Sequence, residues 1–600
     1  MIPLHVILSQ IWRGAAFVIV VTGLLLAGPP RAVASPQAEG GAPAAGAEPA
    51  SAAEVVVSSH SLATEAGLDV LAAGGTAADA AVAVAAVLSV AEPWFSSVLG
   101  GGTWALYYDA SAGTVRALDG VGPAGSSATA AAFEPIAEQS GMHQAVVPGA
   151  WAGWMQWLRE YGELDLGEVM APAIEHAESG VPVTPEMSLW LDIESENVAN
   201  WPSAASIYMP DGVFLTEGDT VYQHGMAATF RELVAQYDRA RSGGRAAAFD
   251  AAEDHLYRGP LAEAIVEYSD RYGGYLTVDD FRSFTTGFVD PIRIDYRGID
   301  VYQNPPNSQG ATMLMALNIL KGFELSRFEA DSAEAIHLQA EAIKLAHIDK
   351  YYHIGDPEYV DVPIESLLSE EHAQRGREQI ALDAAIEWPV DDLLAIDLDL
   401  EARNTTTFHV VDRHGNAAAV TTSLGAQFLV IGDTGIHINN RMRMMAVEDG
   451  DPNRIEPGKR VRHTSNPYIA LMDGRPIILG GNTGVDTQPQ GQVQQFISVV
   501  EYGMSAQEAV SRPRFLTTAF PSARVPWTAE NTLALEEGIP DSVASRLASI
   551  GHTVVRDGLW GNANMIVIDP DSGRIETGAD PRGGFGEGTV RDLNSSATSE

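Results

Sequence analysis

The side chains of this chain that could act as nucleophiles all present oxygen or nitrogen, because the sequence has no cysteine. Thiolate chemistry, disulfides and cysteine-ligated zinc or iron–sulfur sites are thereby excluded. Among the hydroxyls, the run Thr405-Thr406-Thr407 directly after Asn404 can be read in two ways. A threonine hydroxyl is a poor nucleophile until a base takes its proton, and a free α-amine with a pKa of roughly 7.7 to 8.0 is such a base near neutral pH. Cleavage before Thr405 would create that amine on the same residue. The Thr405 hydroxyl would attack the Asn404 carbonyl, the ester would hydrolyse, and the hydroxyl would then serve on a substrate amide. Its branched β-carbon limits the rotamers it must search. Equally, three threonines are β-propensity residues that start ordinary strands, and residue type alone leaves both readings open.

Other constellations carry less. His347 and His353 stand near Asp349 and Asp356 but six residues apart, without the His-x-x-x-His spacing of a helical metal site, so packing or surface roles are expected. Asp449, Asp451 and Asn453 lack the glycine and terminal glutamate of a calcium loop and read as an acidic turn. Ser308, in Asn307-Ser308-Gln309-Gly310, lacks the strand-elbow pattern of a serine hydrolase. No metal or cofactor is expected.

Groups such as these need strands and helices to hold them. Residues 64–90 read as two helices broken by Gly74-Gly75, with Asp79 opening the second, which is apolar nearly all round and therefore buried. A glycine turn at 99–102 feeds a strand over 103–108. From about residue 150 to 350 several amphipathic helices follow, including 335–352, and form a helical layer over a sheet. Residues 405–412 and 417–424 make a hairpin through Arg413-His414-Gly415-Asn416. Strands at 468–472 and 476–479 and a helix over 490–501 complete the pattern, with no internal repeat.

With 600 residues, 46% of them hydrophobic, the chain can bury a large core. Lys and Arg number 36 against 79 Asp and Glu, a net charge of −43, so nucleic acid and anionic membrane surfaces are repelled. Arg13 before the apolar run 14–28, followed by Ala32-Val33-Ala34, reads as a signal peptide over 1–34, with an uncleaved anchor as the competing reading. A periplasmic or secreted location is expected, with no membrane association beyond the export signal. Residues 35–54, rich in Ala, Gly, Pro and Glu, read as a flexible leader, and the fold is expected to begin near Val55.

Several stretches resemble the gamma-glutamyltransferase family of N-terminal nucleophile hydrolases in order and spacing. They are Ala63-Thr64-Glu65-Ala66-Gly67-Leu68-Asp69-Val70-Leu71, Gly74-Gly75-Thr76-Ala77-Ala78-Asp79, Gly100-Gly101-Gly102, Asn404-Thr405-Thr406-Thr407-Phe408, Val410-Val411-Asp412 with Gly415-Asn416-Ala417, Pro457-Gly458-Lys459-Arg460, Glu501-Tyr502-Gly503-Met504 and Ala579-Asp580-Pro581-Arg582. The resemblance implies an α+β fold, an αββα four-layer sandwich cleaved into a large subunit (55–404) and a small subunit (405–600). It implies autocleavage between Asn404 and Thr405, Thr405 as nucleophile, and Ser423 as its assistant. Gly484 and Val485, in Gly480-Gly481-Asn482-Thr483-Gly484-Val485, would supply the oxyanion hole, and His463 and Thr464 would hold a substrate carboxylate. The implied partners are a small-molecule amide, a water or amine acceptor, and the two subunits of one precursor.

The chain also departs from the family it resembles. The arginine and aspartate that hold the α-carboxylate and α-ammonium of a γ-glutamyl group correspond to Val121 and Met444, and an asparagine beside the assisting hydroxyl corresponds to Gly425. Arg441, Arg443 and Arg462 cluster around the same segments. If one points inward, the pocket favours an acyl group with a carboxylate and no amine, such as a dicarboxylic acid monoamide. The function the resemblance implies is cleavage or transfer of a γ-glutamyl or related carboxylate-bearing acyl group; an amidase of the family acting on such non-glutamyl substrates, and a non-catalytic relative that only binds, are the alternatives.

Overall fold

Alternating apolar residues in the strands build two antiparallel sheets in the computed structural model, which describes residues 53–386, 405–425, 427–521, 532–558 and 561–593. The expected signal peptide, leader residues 35–52 and Asn404 lie outside the described residues. The first sheet has seven strands in the order Glu587–Asp592, Ala53–Ser58, Thr406–Val411, Ala417–Ser423, Gly102–Asp109, Thr114–Gly120 and Gly287–Val289. The second has six, in the order Ile575–Ala579, Ala563–Ile568, Arg475–Asn482, Tyr468–Met472, Ile299–Gln303 and Ile292–Tyr296.

The period of two along each strand decides which layer its side chains join. Val55, Val57, Val411 and Ala419 of the first sheet pack against Ile469, Leu479 and Ile566 of the second in one buried cluster. Val56, Phe408, Val410 and Val420 point the other way, into a core shared with the helices Ser61–Ala72, Ala77–Ala91 and Ala150–Tyr161. On the far face of the second sheet, Val301, Ala470 and Ile478 pack with the helices Ala311–Leu320, Ala333–His353 and Thr487–Val500. The chain is thus an α+β protein in which helices flank two stacked sheets.

Local chemistry sets the boundaries. The apolar helix starts at Ala77, not at Asp79: Thr76 is its N-cap, and Asp79 closes a capping box by accepting the Thr76 N–H at 2.9 Å. The first strand begins at Ala53. The hairpin turns where expected, because Asp412 Oδ1 accepts the N–H groups of His414 (2.8 Å) and Asn416 (3.0 Å) and Gly415 takes a φ of 81°.

Candidate active site

Strand register brings the first two site residues together. Thr406 pairs with Thr422 across the hairpin, so Thr405, just before its strand, comes beside Ser423. Both are buried, with their hydroxyls 3.1 Å apart. Thr406 faces the opposite side, where its hydroxyl lies 2.6 Å from that of Ser59, which donates to Glu92 at 2.8 Å. Burial pushes the Glu92 carboxyl up to about 7. The start of the strand is therefore anchored on both faces.

A third group at the Thr405 hydroxyl is Gln488, in the first turn of the Thr487–Val500 helix. Its amide nitrogen donates to the Thr464 carbonyl (2.8 Å), Asn466 Oδ1 (2.9 Å) and the Asn482 carbonyl (3.3 Å), leaving the amide oxygen to accept from Thr405 at 3.3 Å. Gly484 and Val485 lie on the turn that enters this helix. Gly484 has a φ of 87°, where a side chain would be strained, and its carbonyl accepts the Gln488 N–H at 3.0 Å. The first turn of this helix thus reaches the Thr405 hydroxyl through the Gln488 side chain.

The arginines divide. Arg441 is buried, and its guanidinium donates to Ser423 Oγ at 3.1 Å and to Asn440 Oδ1 at 3.0 Å. It lies in space that only a glycine at 425 leaves open: a Cβ there would stand 2.6 Å from Arg441 Nη2 and 1.8 Å from Asn440 Oδ1. Arg443, on the same short turn Arg441–Met444, is half-buried. Arg462 corrects the expectation of an inward-facing substrate group. Its guanidinium donates to the carbonyls of Lys350 (3.2 Å), Tyr351 (3.4 Å) and Ile354 (3.1 Å), closing the C-terminal end of the Ala333–His353 helix, where orphan carbonyls attract a cation.

His463 and Thr464 are buried beside this group. Burial, reinforced by the Arg441 charge, holds His463 well below the usual imidazole range. The ring is neutral, and its Nδ1 accepts the Ser465 N–H at 3.2 Å, so the proton sits on Nε2. That nitrogen is 3.2 Å from where a Cβ on Gly102 would be, and Gly102 pairs with Ser423 in the sheet. Among the described residues neither His463 Nε2 nor Thr464 Oγ1 has a hydrogen-bond partner.

Three of the residues set aside have structural partners. His347 is buried with Nε2 3.1 Å from the Asp486 carbonyl, whereas His353 is exposed. Ser308 donates to the Ser465 carbonyl at 2.8 Å, and Asp449 pairs with Arg454 at 2.9 Å. Sequence reasoning missed Gln488. Its signal was the density of glutamines at 488, 490, 492, 494 and 495, all of which the structure buries.

The contacts of Ser423 give a graded expectation. Ser423→Ala removes one partner of the Thr405 hydroxyl and one of Arg441 while leaving the strand intact, so kcat should fall about tenfold with the melting temperature held. Steady-state kinetics and thermal unfolding check this, and complete loss of turnover would make Ser423 the attacking group.

The gamma-glutamyltranspeptidase family model matches residues 63–589. The chain is 33% identical to the glutathione hydrolase-like YwrD proenzyme of Bacillus subtilis, over 88% of this chain and 97% of that protein. It is 32% identical to the acylase ACY 1 proenzyme of Pseudomonas sp. (strain SE83), over 86% and 90%. Its fold is similar to the crystal structure of cephalosporin acylase from Bacillus halodurans, with a TM-score of 0.78 and 30% identity over 92% of this chain and 98% of that one. By sequence, by fold and by the hydroxyl pair at the head of its central hairpin, the chain is an enzyme that belongs to the gamma-glutamyltranspeptidase family.

Proposed function

We propose that this enzyme is an autoprocessing N-terminal-threonine amidohydrolase acting on amides whose acyl group carries a carboxylate and no α-amine. Export through residues 1–34, followed by the cut between Asn404 and Thr405, yields a large subunit (55–404) and a small subunit (405–600) on this reading. The Thr405 hydroxyl attacks the substrate carbonyl while the Thr405 α-amine takes its proton. Gly484 and Val485 N–H groups hold the oxyanion. The amine leaves with the proton, and water or an amine acceptor then breaks the acyl ester and frees the hydroxyl.

Arg441 is the observation that carries the choice of substrate. Two contacts of 3.1 Å, through Ser423, put its guanidinium within roughly 6 Å of the Thr405 hydroxyl, a separation that a short dicarboxylic chain spans. The neutral His463 Nε2–H and the Thr464 hydroxyl, both without a hydrogen-bond partner among the described residues, add donors beside this cation, and an anion is the ligand that suits such a set. An α-ammonium has no such support. Val121 and Met444, where the family holds the two charged ends of a glutamyl group, are buried in an apolar cluster with Trp104, Met442, Val461 and Val485. An ammonium buried there without a carboxylate would cost several kcal/mol. The acylase names among the relatives are compatible with an acyl group other than γ-glutamyl, and the glutathione hydrolase name favours the γ-glutamyl alternative.

Parallel kinetics decide between them. Matured enzyme is expected to turn over glutaryl, succinyl or oxamate-type amides with kcat/KM at least tenfold above that for γ-glutamyl anilides. Glutathione hydrolysis at a rate equal to or above those amides would restore the γ-glutamyl reading.

A further inference from the structure

Around the Gly484–Val485 turn lies a second set of charges that the proposed chemistry does not use. Lys350, in the last turn of the Ala333–His353 helix, is fully buried. Its ammonium pairs with Asp486, lies 3.4 Å from Gln309 Oε1 and stands 5.7 Å from the centre of the Phe520 ring. Asp486 follows Val485 directly and is the N-cap residue of the Thr487–Val500 helix. Gln309 in turn donates through Nε2 to the carbonyls of Val485 (2.9 Å) and Thr464 (2.7 Å). The Thr464 carbonyl also receives the Gln488 amide, whose oxygen accepts the Thr405 hydroxyl. One buried cation therefore ties together the residue after the turn, the carbonyl within it and the loop that orients Gln488.

Stability alone does not account for this cation. Desolvating an ammonium is unfavourable, and a buried pair is often no better than apolar residues of the same volume. The Asp486 side chain makes no capping hydrogen bond to the helix it precedes, so capping does not account for its charge either. A buried pair does, however, hold its members in one geometry, and donors aimed at a transition state lose effect when displaced by about 1 Å.

We propose that Lys350, acting through Asp486 and Gln309, is a positioning residue that fixes the Gly484–Val485 turn relative to Thr405 before charge develops on the substrate. This rests on the reading of that turn as the oxyanion hole and of Thr405 as nucleophile.

The test compares full-length variants with the wild type, with rates normalised to the fraction of chain whose small fragment begins at Thr405. Lys350→Met alone strands the Asp486 charge and can cost the fold, so the informative variant is Lys350→Met with Asp486→Asn, which removes both charges. Its kcat is expected to fall about a hundredfold with KM within threefold of wild type. Gln309→Met, neutral and close in volume, cuts the link to Val485 and Thr464 without touching the ion pair, and its kcat should fall about tenfold at unchanged KM. A folded double variant with kcat within threefold of wild type overturns the inference, as does a loss carried wholly by KM. If the double variant does not fold, Gln309→Met alone decides, and wild-type kcat in it overturns the inference. A wild-type chain with no fragment beginning at Thr405 would instead overturn the underlying catalytic reading.

Discussion

A Thr405→Ala chain is expected to remain uncut and to hydrolyse no amide above background, a loss of at least about 10⁴-fold in kcat. One hydroxyl is assigned to both events, and no neighbour replaces it. Ser423 Oγ is within reach of the same space, and the Arg441 guanidinium 3.1 Å away would stabilise its alkoxide, but the hydroxyl still needs a base to take its proton. The base in this scheme is the α-amine that cleavage itself creates, and an uncut Ala variant never acquires it. Thr405→Ser keeps the hydroxyl and should still mature, more slowly, since the lost methyl frees rotamers that the branched residue excludes. A denaturing gel and N-terminal sequencing of the smaller fragment read both outcomes. If the Ala variant yields two fragments with the same junction, Thr405 is not the residue that cuts the chain.

What could be read from the sequence was whatever local chemistry determines. Asp412, Gly415 and Asn416 specify a tight turn between two β-branched runs, and once that hairpin forms, antiparallel register alone sets Thr405 beside Ser423. The apolar helix Ala77–Ala91 was legible for the same reason, since a segment without a polar face has nowhere to go but the core. Other features depend on residues far apart in the chain. Arg441 and Arg462 are indistinguishable by type and by distance along the sequence from the site segments. They part because the C-terminal carbonyls of the Ala333–His353 helix capture one, and the space above Gly425 admits the other. The Lys350–Asp486 pair joins residues 136 positions apart and left no mark on any local pattern. Gln488 looked like one polar residue among many until its burial showed that every atom of its amide had to be satisfied.

The space above Gly425 leads to the sharpest test of substrate class. If Arg441 binds the acyl carboxylate, Arg441→Met should lower kcat/KM for a glutaryl anilide by about 3 kcal/mol, a hundredfold or more, because truncating one partner of a buried charge pair strands the other. The same change should cost an uncharged acyl anilide of equal length less than tenfold. Some loss is expected on both, since Arg441 also donates to Ser423 and so helps to orient the group beside the nucleophile. The ratio of the two losses isolates the carboxylate contact, as that shared structural effect cancels in it. Arg441→Lys keeps the charge but not the planar fork, and should recover part of the discrimination without restoring the contact to Asn440. Equal losses on the charged and uncharged substrates would show that Arg441 serves the hydroxyl pair alone, and the carboxylate would then have to be bound by His463 and Thr464.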